Sequence, residues 1–246
     1  MKYASGFLLS AMLISSSGQA ADIVGTYALK EVVSQKQRVL PKPLPTLPLV
    51  STSVGFATIR QDGSKLIMTE SFCQIDLTPK FPVNPIVPDG LTKAIIVEGE
   101  LLSETIDGKT VYSRPEAPTP VGVKLDDPVN DALPTDASDP RIWDEDGDGK
   151  LGVTSVIKGL ISGEAYSVRR ERYSLQFEAT SESTFAGFIV DRSENYILAA
   201  TNKNLERQLE LEQDSDPNKS TVQLVRLSAE MDCQTLLKQK DQLFKK

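Results

Sequence analysis

The chain of 246 residues contains no histidine, a single tryptophan at Trp143 and only two cysteines. The absence of histidine excludes Ser-His-Asp triads, Cys-His dyads and the histidine-containing zinc sites that many enzymes use. Acid–base chemistry would therefore depend on carboxylates, lysine or tyrosine.

Long apolar runs are also missing, and the only extended one lies at the N-terminus. It covers residues 7–14, follows the positive Lys2, and precedes small residues that end at Ala20. This pattern predicts a secretory signal peptide over residues 1–20, cleaved after Ala20. The run is too short for a transmembrane helix, and the junction has no cysteine for a lipid anchor. We therefore expect a secreted or periplasmic protein.

Positive charge is in deficit, with 27 basic against 34 acidic side chains and a formal net charge of −7. An acidic protein is repelled by nucleic acid and by anionic membrane surfaces. Neither is expected as a partner.

Residues 21–246 have the pattern of a single β domain with a Pro/Asp-rich insertion at about 114–150. Short apolar segments alternate with turn residues, and hairpins are predicted at Asp62-Gly63, Asp107-Gly108 and Ser193–Asn195. The predicted strands are 22–33, 53–60, 65–75, 94–106, 110–112, 153–161, 165–179, 185–190, 196–200 and 221–227. Eight to ten antiparallel strands predict a closed barrel or a two-sheet β-sandwich.

Four segments depart from the simple strand pattern. The prolines from Pro41 to Pro48 exclude a central strand and predict polyproline II or a surface loop. Residues 204–220 are polar and predict a loop, while 229–246 fit a short amphipathic helix. The basic run 169–172 predicts a bend and a solvated strand face, with binding of an anion or a second chain as the alternative.

A dense acidic cluster provides the strongest site motif. Asp144, Asp146 and Asp148 occupy positions 1, 3 and 5 of a D-x-D-x-D-G pattern, and Gly149 occupies position 6. This motif resembles the EF-hand calcium loop, in which alternating carboxylates converge on an ion that takes 6–8 oxygens. The glycine permits the sharp turn that brings the next carbonyl inward. The resemblance implies that Lys150 contributes its backbone carbonyl as a calcium ligand.

The loop departs from the EF-hand at position 12, where Ser155 replaces the bidentate glutamate. The flanks also predict loop and strand rather than two helices. We therefore expect a weak, structural calcium site whose remaining ligands come from water or from Asp136, Asp139 or Glu164. The alternative is a solvated acidic turn that binds no ion tightly.

Cys73 and Cys233 are the two cysteines, and in an exported chain their pairing is the default expectation. Such a bridge would close a loop of about 160 residues and stabilise the fold by up to roughly 5 kcal/mol. Two buried free thiols are the alternative.

Three framework features resemble the lipocalin, or calycin, barrel. Gly25-Thr26-Tyr27 opens the first strand where lipocalins have Gly-x-Trp, and Arg226 lies in the last strand where they place an arginine across that ring. Lipocalins often tie the tail to the barrel, as a Cys73–Cys233 bridge would. The resemblance implies a barrel with a short C-terminal helix and an apolar cavity for a small ligand. Tyr27 replaces tryptophan, and the insertions make this chain longer than most lipocalins.

Enzyme motifs are weak. Ser155 and Lys158 match S-x-x-K, but that chemistry needs a helix, and the context here is β. The acid pairs Asp126-Asp127 and Asp214-Asp216 lie in loop-like sequence, which favours solvation over glycosidase chemistry. We therefore expect no catalytic residues and a calcium-binding barrel that acts as a ligand-binding or scaffold module. The alternatives are a calcium-dependent hydrolase of glycan or lipid with a carboxylate catalyst, and a structural envelope component.

Overall fold

The structure is a computed structural model that describes residues 23–38, 46–79, 83–208 and 210–245. The predicted signal peptide and most of the proline-rich stretch lie outside the described residues. The described chain is mostly β, with one helix of seven or more residues at its C-terminal end.

Eight antiparallel strands form a closed barrel. They are β1 (Gly25–Arg38), β2 (Leu47–Asp62), β3 (Lys65–Thr78), β5 (Ile96–Ile106), β6 (Lys109–Arg114), β10 (Tyr173–Ala179), β11 (Thr184–Asp191) and β14 (Thr221–Arg226). Each pairs with the next barrel strand along the chain, and β1 pairs with both β2 and β14 to close the ring. The predicted lipocalin-like shape is thus confirmed, and the sandwich alternative is wrong.

Two of the three predicted hairpins are confirmed. β2 and β3 are joined at Gly63, whose φ is +58°, and β5 and β6 are joined at Asp107 and Gly108, with φ +50° and +79°. Two consecutive positive φ angles are typical of the type I′ turn, whose twist matches that of the flanking strands.

A second sheet is built from the segments between barrel strands. It contains β4 (Val83–Ile86), β7 (Thr119–Val121), β8 (Val153–Gly159), β9 (Gly163–Glu171) and β12 (Glu194–Ala200). Its order is β12-β9-β8-β4, with β7 also paired to β9. A short helix, α1 (Asp89–Ala94), follows β4.

The predicted hairpin at Ser193–Asn195 is wrong, because its two strands belong to different sheets. β11 pairs with β10 and β14, whereas β12 pairs with β9. Both edges of β11 are already occupied in the closed barrel, so the following strand has no edge to join. The chain instead leaves the barrel and extends the second sheet.

The predicted bend in 165–179 is confirmed as a change of sheet at Arg172, between β9 and β10. The expectation that the basic run is solvated is wrong: Arg170 and Glu171 are 5% and 7% exposed. Arg170 pairs with Glu194, and Arg169 donates to Glu171 over 2.9 Å. Arg170 also donates to the carbonyls of Pro128 and Asp131. Burial requires these partners, since an unpaired buried charge is costly.

Two irregular segments contain more strand than expected. Pro48 lies in β2 opposite Lys36, at a point where β2 pairs with β1 but not yet with β3. Proline is tolerated there because the strand has an unpaired edge. The predicted loop 204–220 contains a strand, β13 (Glu210–Gln213), that pairs with the end of β1.

The C-terminal helix, α2 (Cys233–Leu243), packs on the outer barrel wall. Leu236 and Phe244 cover Ala28 and Val54. Cys73 lies at a register shift between β2 and β3 and forms the disulfide to Cys233, with a Cα–Cα distance of 5.3 Å. The predicted disulfide is therefore present, and the alternative of two free thiols is wrong.

Candidate metal centre and barrel cavity

The acidic loop lies immediately before β8 and is closed at its base by backbone hydrogen bonds. Trp143 donates to the carbonyl of Gly122 over 3.2 Å, and Glu145 donates to that of Gly152 over 3.2 Å. Glu145 also accepts a hydrogen bond from the amide of Gly122. These contacts tie both ends of the loop to the second sheet.

The three predicted carboxylates converge. Asp144, Asp146 and Asp148 each present one oxygen such that all three oxygens lie within 4.8 Å of one another. Gly147 and Gly149 have φ angles of +73° and +80°, and these glycines permit the tight curl. The sequence spacing thus produces the expected convergence without any EF-hand helices.

Asp144 is held by the curled backbone. Its carboxylate accepts from the amides of Gly147 and Gly149 over 2.8 Å each and from that of Asp148 over 3.1 Å. These donors hold the pKa of Asp144 below its usual range, and the amide of Gly149 has the largest effect. The backbone of the loop therefore favours the ionised form of Asp144 and holds its carboxylate in place.

Asp146 differs because only one of its oxygens is satisfied. Its Oδ2 accepts from the Thr154 amide over 2.8 Å, while its Oδ1 is shielded from solvent and has no hydrogen-bond partner within the described part of the chain. Burial raises the pKa of Asp146, and the nearby charges of Asp148 and Asp144 add to that effect. A cation shared by the three carboxylates would offset this repulsion.

The only lysine of the loop points elsewhere. Lys150 Nζ lies 3.4 Å from the hydroxyl of Tyr166, 5.4 Å from the centre of its ring and 3.7 Å from Glu164. The backbone amide of Lys150 donates to Asp148 over 2.8 Å. The role of its carbonyl as a ligand stays a prediction.

The additional ligands considered from sequence are engaged away from the cluster. Asp139 pairs with Arg141 over 2.8 Å, and Asp136 accepts from the amide and hydroxyl of Ser138. Glu164 accepts from Tyr166 over 2.9 Å. Sequence reasoning missed Thr154, whose hydroxyl donates to Asp148 over 2.5 Å. Only the fold of β8 against the loop places that residue there.

The lipocalin-like framework contact is present at one end of the barrel. The Arg226 guanidinium lies 5.0 Å from the centre of the Tyr27 ring and donates to the carbonyl of Val24 over 2.9 Å. A Cβ at Gly25 would lie 2.7 Å from Arg226 Nη1, so a larger residue there would require the arginine to shift from its place over the ring. The Gly-x-aromatic pattern thus has a packing reason in this chain.

A buried ion pair links β3 and β6 of the barrel. Arg114 and Glu70 are both 0% exposed, and Arg114 donates to Glu70 Oε1 over 2.7 Å. The Tyr173 hydroxyl donates to the other oxygen of Glu70, and Arg114 also donates to the carbonyl of Tyr173 over 3.0 Å. Burial raises the pKa of Tyr173 well above its usual value, so this hydroxyl remains a donor.

A partly open cavity of about 190 Å³ lies beyond this pair, between the barrel end and the second sheet. Val33, Leu49 and Phe72 contribute apolar walls from the barrel, while Ser155 and Arg169 contribute from the second sheet. The second sheet therefore covers the open end of the barrel and forms the roof of this cavity. The volume is below that of a drug-sized pocket, which favours a small occupant.

Two carboxylates in this cavity have raised pKa values. Burial raises the pKa of Glu31 well above its usual value, and repulsion from Glu70 adds to that effect. Burial is also the main cause that raises the pKa of Asp191. Glu31 Oε1 is shielded from solvent and has no hydrogen-bond partner among the residues that the structure describes.

A second depression of about 390 Å³ lies outside the barrel wall, between β3, β4 and Leu237. Its acidic lining residues are Asp76 and Asp89. Among its described lining residues, no buried polar side-chain atom lacks a partner. The barrel cavity is therefore the better candidate for a ligand.

The weak enzyme motifs do not assemble into a site. Ser155 and Lys158 lie three residues apart on strand β8 rather than on a helix. Asp127 accepts from Asn130 over 2.8 Å, and Asp214 pairs with Lys219 over 3.1 Å, so these acids stabilise local turns.

Neither helix of the described chain has the length and apolar character needed to cross a membrane. Comparison with protein-family models, with curated proteins and with solved structures finds no match for this chain.

Proposed function

We propose that this chain is an exported β-barrel protein that binds a small ligand in the barrel cavity. The second sheet covers this cavity, and calcium bound by the acidic loop fixes the position of that sheet. The observation that carries the proposal is the convergence of three carboxylates, one of which, that of Asp146, also has a shielded Oδ1 without a partner among the described residues. A buried acceptor without a donor is destabilising, and a hard cation that takes oxygen ligands removes that cost. The export component is supported by the Cys73–Cys233 disulfide, since such bridges persist in oxidising compartments.

The acidic loop and the cavity are neighbours along one strand. Thr154 in β8 donates from its amide to Asp146 and from its hydroxyl to Asp148. The next residue, Ser155, lines the barrel cavity. Calcium bound by the loop would therefore fix the first residues of β8 and, with them, part of the cavity roof.

Calcium titration tests the metal centre. We expect about 1–10 mM calcium, at and above the roughly 10⁻³ M dissociation constant of weak extracellular sites, to raise the melting temperature. It should also change the emission of Trp143, which adjoins Asp144 and is 41% exposed. Asp146→Asn should abolish both responses, because an amide supplies no charge and a weaker ligand. Asp126→Asn, in an exposed loop outside the cluster, should respond like the wild type.

An equal response of Asp146→Asn and the wild type would show that calcium acts elsewhere. A melting temperature that is unchanged between calcium and chelator would leave the loop as a solvated acidic turn.

A second candidate function is hydrolysis of glycan or lipid with a carboxylate catalyst. It is favoured by the raised pKa values of Glu31 and Asp191 in one cavity, because an enzyme acid needs a carboxyl group that keeps its proton near neutral pH. Turnover of chromogenic glycosides or esters that Glu31→Gln abolishes would establish this function. Without such turnover, the binding role is preferred.

A further inference from the structure

We propose that the barrel cavity binds a small organic monocation, an ammonium group on a short apolar body, with Glu31 as its counter-charge. The inference rests on the proposed function in requiring that the barrel binds a ligand, and it specifies the chemical class of that ligand. It does not require that calcium occupies the acidic loop.

The charge balance of the cavity is the first argument. Among the lining residues that the structure describes, four are carboxylates, those of Glu31, Glu171, Asp191 and Glu194, and one is a guanidinium, that of Arg169. Arg169 is already engaged, because it donates to Glu171 over 2.9 Å. The described lining therefore has an excess of negative charge.

The hydrogen bonds single out Glu31 within that group. Asp191 accepts from Gln35 over 2.8 Å and from the Ser193 amide over 2.9 Å. Glu194 pairs with Arg170. In contrast, Glu31 is 5% exposed, and its Oε1 finds no donor in the described chain.

Arg114 does not supply the missing partner. Its ion pair is with Glu70 over 2.7 Å, and its other hydrogen bonds go to the carbonyls of Pro115 and Tyr173. The attraction of Arg114 lowers the pKa of Glu31, but burial and repulsion from Glu70 have larger effects and raise it. Arg114 Nη2 is itself buried without a partner in the described chain, but this one guanidinium faces two carboxylates, those of Glu31 and Glu70. The three side chains therefore carry one negative charge in excess when both carboxylates are ionised, and a cation from outside the chain would balance it.

The apolar lining determines the rest of the ligand. Val33, Leu49, Ile75 and Ile189 line the same space as Glu31, and Phe72 adds an aromatic ring to that lining. Such walls favour an alkyl or aryl body, and an aromatic face also attracts an ammonium group. A bare metal ion would need six or more oxygens in place of these walls. A volume of about 190 Å³ is below the range of drug-sized pockets, which suits a small amine.

Three probes share a six-carbon chain and differ in the charge of the head group: hexylammonium, hexanol and hexanoate. We expect calorimetry on the full chain, with calcium present, to show hexylammonium binding at least tenfold more tightly than hexanol. Hexanoate should bind more weakly than either, because it adds a second negative charge. Glu31→Gln should reduce hexylammonium affinity at least tenfold and leave hexanol affinity within about threefold of the wild type.

Two further variants keep the test decisive. Glu104→Gln changes an exposed glutamate on the outer wall of β5 and should leave all affinities unchanged. Asp191→Asn should weaken hexylammonium binding by a smaller factor than Glu31→Gln, because Asp191 adds charge but has its own donors. Circular dichroism establishes that each variant is folded.

The possible results separate the two proposals. Equal affinities for hexylammonium and hexanol, or undiminished hexylammonium binding by folded Glu31→Gln, would overturn the assignment of a cation while leaving a ligand-binding barrel. If none of the probes binds at millimolar concentration, both the cation and the binding role of the cavity are refuted.

Discussion

At the scale of single residues, the number of available donors determines which buried carboxylates are satisfied. Glu70 has Arg114 on one oxygen and the Tyr173 hydroxyl on the other. Glu31 faces the same interior but has an oxygen without a partner in the described chain. Asp144 and Asp146 show the same contrast in the acidic loop. Unsatisfied acceptors of this kind destabilise the fold, and an ordered water, an ion or a ligand can satisfy them.

The unliganded stability of the protein should depend on Glu31 and on pH. The folded state raises the pKa of Glu31 above its ordinary value of 4.5, mainly by burial and by repulsion from Glu70, Asp191 and Glu171, against attraction from Arg114. The folded state therefore holds this proton to a higher pH than the unfolded chain. The free energy of unfolding falls as pH rises from about 4.5 through the folded pKa.

Glu31→Gln removes this dependence. We expect the variant to be more stable than the wild type at neutral pH, with the difference disappearing below about pH 4.5. Urea denaturation between pH 4 and 8, without added amine, measures it. The exposed Glu104→Gln variant is the control. If Glu31→Gln and the wild type differ in free energy of unfolding by the same amount at every pH, the folded state does not raise the pKa of Glu31.

At the scale of elements, α2 depends on contacts beyond its own sequence. An 11-residue helix is marginal in isolation, so packing and capping must stabilise it. Asp232 accepts from the Thr235 amide over 2.7 Å as an N-cap, Leu236 is fully buried, and Cys233 is bonded to Cys73. The helix in turn covers the outer face of β1 and β2.

Two variants separate the contributions to α2. Asp232→Ala should lower the free energy of unfolding by about 1 kcal/mol, because one backbone donor loses its cap. Replacing both Cys73 and Cys233 with serine should lower it by about 2–5 kcal/mol. Chemical denaturation provides both values, with the exposed Asp241→Ala as the control. A larger loss for Asp232→Ala than for the double serine variant would assign the stability of the tail to the cap.

At the scale of the whole molecule, the second sheet links the acidic loop to the barrel cavity. β8 contacts the loop through Thr154 and lines the cavity with Ser155, while β9 adds Arg169 to the same roof. If calcium orders this sheet, calcium and the cavity ligand should each increase the affinity of the other. Such coupling is reciprocal by thermodynamic necessity.

Calcium should therefore strengthen hexylammonium binding by about 5-fold or more, the lower end of typical coupling. Calorimetry in calcium and in chelator measures the ratio of the two hexylammonium affinities. Asp146→Asn should not bind calcium, so its affinity for hexylammonium should be the same in both. Hydrogen exchange should show slower exchange of β8 amides with calcium. An affinity for hexylammonium that is independent of calcium would mean that the loop stabilises the fold without affecting the cavity.

Local sequence signals determined much of the barrel. The alternation in β14, the turn residues at Gly63 and Gly108 and the cysteine pair all predicted what the structure contains. The aspartates of the loop also converged as their spacing required. Strand period, turn angles and the curl of a six-residue loop depend on neighbouring residues, so the sequence contains the necessary information.

Tertiary structure alone determined the partner of β12 and the chemistry of the cavity. Strand signals between 185 and 200 were correct, but the closed barrel left no edge for a hairpin. Glu31, Arg169 and Asp191 are far apart in sequence and have no shared motif, yet they line one space. Whether a carboxylate is buried, and whether a donor reaches it, depends on which distant strands cover it, and no local pattern of residues specifies that.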